Sequence, residues 1–131
     1  MDINSIIKNQ DGLYHRDVGF PKNWVELLPR NFRPTNIKLT YGSHARKEAL
    51  SDKYGSIELP QTLAFNKDAL YLFEIEIKDG KVVKLGVRKS HDELNDLIII
   101  FQPNDGFVRT VWLNRKEDSH KTLDTSKYRK P

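Results

Sequence analysis

The sequence predicts an α+β domain, one main helix packed on a twisted antiparallel sheet of four to five strands, with an N-terminal arm in front. Three observations carry that expectation. Residues 43–55 form one helix-sized segment between a capping serine and a glycine. Residues 36–41, 71–77, 83–88 and 107–114 alternate apolar and polar side chains at the period of a half-buried strand. Residues 96–102 hold an unbroken apolar run, Leu97 to Phe101, of the kind that fills a central strand covered on both faces.

The chain of 131 residues is sized for one domain and one core. Residues 1–35 contain Pro21, Pro29 and Pro34 and a short amphipathic stretch in which Trp24, Leu27 and Leu28 share a side, which reads as an arm with a short helix. The α+β domain then occupies residues 36–131 and ends in a basic tail. Ile37, Leu39 and Tyr41 define the first strand, and Gly42 ends it. Ser43 is the expected N-cap of a helix running from His44 to Tyr54, with Ala45, Ala49 and Leu50 on its buried side and Gly55 after its last turn. Residues 57–68, containing Pro60, read as a loop.

A hairpin follows. A two-residue turn at Asp79 and Gly80 would set Ile75 against Lys84 and mix the two faces. A three-residue loop, Lys78-Asp79-Gly80, instead pairs Ile75 with Val83 and Phe73 with Leu85, and places Glu74 opposite Lys84. The three-residue loop is therefore expected. In the last strand, Phe107, Val111 and Leu113 are expected on one side and Val108, Thr110 and Trp112 on the other, with Arg109 interrupting the first set.

Composition narrows the chemistry. Without cysteine there is no disulfide framework, thiol nucleophile or cysteine zinc site. The four histidines, His15, His44, His91 and His120, form no HxxxH or HxH group, and seven glycines fall singly, so neither a histidine metal site nor a phosphate-cradling glycine loop is expected. No cofactor is implied. No apolar run reaches the roughly 18 residues of a membrane span, and residues 1–10 lack a signal-peptide pattern, so a cytoplasmic protein without a membrane partner is expected. Of the net charge of +4, the excess lies in the helix region and the tail, while residues 56–114 are net acidic. That asymmetry permits an acidic partner such as single-stranded RNA.

His44, in the first turn of its helix, has the proton-transfer chemistry of a general base, and the helix N-terminus offers amide N–H groups to a phosphate. Arg46 and Lys47 on the same turn add positive charge. Arg88 has the planar fork that grips a phosphate, Lys84 precedes it on the same strand face, and Thr110 beside Arg109 offers a hydroxyl. Trp112 is a surface for stacking a base. His120, or alternatively His91, supplies a second proton-transfer group.

This order of strand, helix and antiparallel meander resembles the small metal-independent ribonucleases of the RelE, barnase and colicin type. The resemblance rests on Tyr41-Gly42-Ser43-His44-Ala45, Val87-Arg88-Lys89 and Arg109-Thr110-Val111-Trp112, and covers residues 36–114. It implies an endoribonuclease cleaving RNA by 2′-hydroxyl attack, with His44, Arg88, Thr110 and His120 catalytic and Arg46, Lys47, Lys84, Arg109 and Trp112 binding substrate. The arm and the polar stretch after Asn114 have no counterpart in that pattern. Two other classes fit the same residues: a non-enzymatic binding protein that docks on another protein, and an RNA-binding module without chemistry.

Overall fold

Period-two patterning dominates residues 70–115, and in the computed structural model, which describes residues 11–18, 28–65 and 70–116, this patterning builds most of the molecule. The strands are β1 (Gly12–Val18), β2 (Ile37–Lys38), β3 (Thr40–Tyr41), β4 (Thr62–Leu63), β5 (Leu70–Lys78), β6 (Lys81–Ser90), β7 (Asn95–Phe101) and β8 (Phe107–Arg115). One helix is described, α1 (Ser43–Ser51). Six strands form one sheet in the order β1-β5-β6-β7-β8-β3, and β2 pairs with β4 in a second, two-stranded sheet.

This corrects the expected fold class. The chain is mainly β, and its sheet is larger than four to five strands. It is also not purely antiparallel, because β3 runs parallel to β8. Two local events enlarge it. Gly12–Val18, within the expected arm, is a strand on β5. The alternating run 36–41 is not one strand but two: Ile37 and Lys38 pair with β4, and the chain then changes partner so that Thr40 and Tyr41 pair with Phe107 and Val108.

Apolar alternation is kept in phase across the sheet by bulges, each adding one residue to one strand. Lys78 pairs with Lys81 around a two-residue turn in which Asp79 (φ 53°) and Gly80 (φ 72°) are both left-handed, the type I′ geometry. The expected three-residue loop is therefore corrected. The mixing of faces that argued against a two-residue turn is removed at Val83, an extra residue on β6 that restores Ile75 opposite Leu85. The Asp11 carboxylate accepts the amide N–H of both turn residues, at 2.8 and 3.0 Å. Arg109 is the corresponding extra residue on β8, between the Ile100–Thr110 and Phe101–Val108 pairs, and it brings Val108 to the same side as Val111 and Leu113.

The core lies on one side of the sheet. Leu72, Ile75, Ile77, Leu85, Val87, Leu97, Ile99, Phe101, Val108, Val111 and Leu113 pack there against Leu28, Phe32, Ile37, Leu63, Ala45 and Ala49, so the helix, the small sheet and the stretch from Leu28 to Phe32 all cover this one face. The expected central strand is β7, where Leu97 through Phe101 are all buried between β6 and β8.

The helix departs from expectation at both ends. Gly42 occupies the N-cap with no side-chain cap, and Ser43 is already helical. Gly42 suits the position because a Cβ there would lie 3.1 Å from the Phe107 ring. The helix stops at Ser51, one turn early, because Asp52 turns extended and accepts the Tyr54 and Leu113 amide N–H groups. Gly55 does take a positive φ of 122°, but outside the helix. Ala45 and Ala49 are buried as expected, whereas Leu50 is 78% exposed.

Candidate functional site

On the opposite side of the sheet, Ile98 and Ile100 are buried with Trp112 packed against them, forming a second, smaller apolar cluster. Residues facing each other across the strands share a side, so the rows Glu74–Gly86–Ile100–Thr110 and Arg88–Ile98–Trp112 run side by side over this surface. Next to them lies an open cleft of about 510 Å³, walled by Glu74, Glu76, Lys78, Lys84, Arg109 and Thr110 and floored by Ile100 and Trp112. Two of the bulge residues, Val83 and Arg109, line it. Bulges re-aim side chains and are common beside binding sites. Gly86 leaves the floor low: a Cβ there would lie 2.5 Å from Ile100 Cδ1 and 2.9 Å from Glu74 Cβ.

Charge in the cleft is mixed. The Lys84 ammonium lies 3.6 Å from the buried Glu74 carboxylate and 3.9 Å from that of Glu76. Glu74 therefore meets Lys84 as expected, although the backbone partner of Lys84 is Glu76. Lys78 and Arg109 are exposed and have no carboxylate within ion-pair distance among the described residues.

A second group of polar side chains sits where the helix meets the edge of β8. Beyond the short pairing with β3, the outward amides of β8 meet helix carboxylates. Glu48 accepts the Val111 N–H at 3.2 Å and Asp52 the Leu113 N–H at 3.1 Å. The Thr110 hydroxyl donates to the same Glu48 carboxylate, at 2.7 Å from its nearer oxygen. His44, one turn earlier on the helix, places Nε2 3.4 Å from Glu48 Oε2. This joins His44 to Thr110 through Glu48, with the imidazole side chain 75% exposed. The first role of the carboxylate pair is to satisfy an exposed strand edge.

Arg88 is not brought to that group. Its side chain is 8% exposed, and Nε donates to Asp96 Oδ2 at 2.7 Å while Nη2 donates to the Arg115 carbonyl at 3.0 Å. The other Asp96 oxygen lies 2.8 Å from Lys116 Nζ, which also donates to Ser90 Oγ. The guanidinium thus leans toward the Ser90–Asp96–Asn114 row, away from Thr110. The reason is local: a buried cation needs an anion, and Asp96 is the carboxylate within reach.

Of the other expected residues, Lys84, Arg109, Thr110 and Trp112 line the cleft together. Arg46 and Lys47 are exposed on the helix outside it, and Arg46 donates from Nε to the Tyr41 carbonyl. His91 lies in the β6–β7 turn, its amide bonded to the Asn95 carbonyl. In the same turn, hydrogen bonds led by that from the Leu94 N–H hold the Asp92 carboxyl below its usual range. The turn lies level with Arg115, five residues along β8 from Thr110, roughly 17 Å at strand rise. His120 lies outside the described residues.

No family model matches the chain, and no solved structure matches it. Two curated proteins are similar to it. They are "Probable polyketide synthase 29" and "Probable polyketide synthase 31" of Dictyostelium discoideum, 34% and 33% identical over 98 residues. That stretch is 74% of this chain but only 3% and 4% of those proteins, so the chain spans a small fraction of the relatives it matches.

Sequence reasoning missed Glu48, Asp52 and Asp96, the three carboxylates that fix the surroundings of His44, Thr110 and Arg88. A signal for two of them was present: His44, Glu48 and Asp52 recur every four residues and so share one helical side. Glu48→Ala should cost about 1–3 kcal/mol by leaving the Val111 N–H and the Thr110 hydroxyl without their acceptor. Glu48→Gln, which keeps an acceptor oxygen, should cost clearly less. Urea denaturation of both variants measures this, and equal losses would show that the edge contact is not what the residue supplies.

Among the described residues, no helix is long and apolar enough to cross a membrane.

Proposed function

We propose that this chain is a non-enzymatic binding domain that uses the side of its sheet opposite the core. The observation that carries the reading is how the chemistry-bearing side chains are used. Arg88 is consumed by Asp96 and a backbone carbonyl, and the Thr110 hydroxyl by Glu48, so neither is free to act on a phosphate. The cleft beside them retains cations, carboxylates, an amide and an aromatic floor, the composition of a recognition surface. Similarity confined to a 98-residue stretch of much longer proteins supports the same reading, because a segment of that size recurring within long chains behaves as a module.

Endoribonuclease activity is the second reading, favoured by the His44–Glu48 contact where the helix meets β8. The test separates the two. Single-stranded RNA incubated with purified protein in EDTA at neutral pH should remain intact. Cleavage that is lost in His44→Ala, with an unchanged melting temperature, would replace the binding domain by the nuclease.

A further inference from the structure

We infer that the first turns of β6, from Lys81 to Lys84, accept an extended segment of a partner protein, alternately apolar and acidic, as an added strand. This rests on the binding-domain reading above and adds to it the partner and the way it docks.

The sheet leaves backbone hydrogen bonds unmade at this end. β6 pairs with β5 from Lys81 onward but with β7 only from Leu85. β7 stops short because Gln102 is bonded into the turn to β8 through both its N–H and its C=O, and Pro103 has no N–H to give. Lys78 and Lys81 close a two-residue turn and so form a hydrogen-bonded pair, which makes the next pair, Ile77 and Val82, one that exchanges no bonds. The Val82 N–H and C=O therefore point away from β5, and among the described residues no backbone group meets them. An open edge of this kind is a template for another strand.

Both sides of the edge carry a hollow. On the core side one of about 480 Å³ is lined by Leu28, Pro29, Val82 and Val83, together with the exposed Arg30 and Lys81. On the other side lies the cleft described above, and Val83 and Gln102 line both. Side chains of an added strand alternate between the two sides, so one enters the apolar hollow and the next the charged cleft.

Charge selects acidic side chains for the cleft. Lys84 engages both of its carboxylates, which leaves Lys78 and Arg109 without an ion-pair partner among the described residues. Lys81 stands directly opposite Lys78 across the hairpin, a like-charge pair that is unfavourable by itself. Arg30 and Lys81 are likewise unpaired among the described residues, so four cations flank the open edge and carboxylates on an incoming strand would relieve them. A nucleic acid would meet the cations but has no peptide group for Val82 and no aliphatic side chain for the hollow.

The test is fluorescence anisotropy with a labelled hexapeptide of alternating valine and glutamate, which should bind the wild-type protein. The same peptide with its amides N-methylated keeps every side chain but loses its donors and blocks the edge. It should bind about 5- to 150-fold more weakly, the worth of two backbone hydrogen bonds. Reversing both free cations of the cleft, Lys78→Glu with Arg109→Glu, should weaken binding of the unmethylated peptide about tenfold or more. Both residues are exposed, so the variant should keep its melting transition. Lys47→Gln, on the helix outside both hollows, should bind like wild type.

No binding of the unmethylated peptide, equal binding of the methylated one, or indifference to the double reversal overturns the inference. A dimer in sedimentation that Val83→Lys dissociates, with no peptide bound, would make a second copy of this chain the occupant and overturn it as well. Failure of the parent reading looks different, since it appears as cut RNA.

Discussion

Gly106→Ala is expected to destabilise the fold by more than about 3 kcal/mol, combining a left-handed backbone that disfavours any Cβ with a collision against main chain. Gly106 has φ 74°, and a Cβ there would lie 1.9 Å from the Lys38 carbonyl oxygen. That oxygen belongs to backbone and cannot rotate away as a side-chain tip would. Around the same point, the Gly106 amide donates to the Gln102 carbonyl and the Gly106 carbonyl accepts from Thr40, so the turn between β7 and β8 and the entry to β3 move together. Thermal unfolding should fall by on the order of 10 °C. Gly80→Ala is the matched control, because Gly80 has nearly the same φ, 72°, and open space where its Cβ would go. It should cost about 1 kcal/mol. Equal losses at the two positions would show that backbone conformation alone, and not the Lys38 contact, sets the effect.

Legibility in the sequence follows the range of the forces involved. Alternation from Tyr71 to Leu113 is a local signal, and the strands β5 to β8 lie where it predicts them. The apolar run from Leu97 to Phe101 likewise marks the buried strand. What alternation does not encode is a partner. Nothing in residues 36–41 announces that Lys38 pairs with Thr62 while Thr40 pairs with Phe107, since both strands are two residues long and the change of partner depends on chain arriving from elsewhere. The bulges were half legible. The conflict between a two-residue turn and the hydrophobic phase was visible at Lys84, but the chain resolves it at Val83 and not within the turn. At the candidate site, Lys84, Thr110 and Trp112 line one cleft because strand parity decides which side chains share a surface, whereas Arg109, of the opposite parity, reaches it through its bulge. Arg88 lies apart from them because parity gives the side and not the direction in which a long side chain leans, and Asp96 sets that direction from the neighbouring strand.

Arg88→Ala should therefore cost about 3–5 kcal/mol of stability, the usual consequence of removing one member of a buried ion pair and stranding the other. Asp96 would keep Lys116 at 2.8 Å but lose the shorter, better-shielded bond to the guanidinium, and the Arg115 carbonyl would lose a donor. Ile98, beside Arg88 on the same row, would lose part of its cover, since the stem of an arginine packs as an apolar chain. The partner cycle makes the argument specific. Asp96→Ala alone should be about as damaging, whereas Arg88→Met combined with Asp96→Leu should recover much of the loss, because well-packed apolar replacements remove the stranded charge together with the pair. A residue that grips phosphate behaves in the opposite way: Arg88→Ala would then leave the melting temperature unchanged and abolish an activity on RNA. Denaturation midpoints for the four proteins, with RNA integrity measured alongside, decide between a guanidinium that holds β6 to β7 and one that serves a ligand.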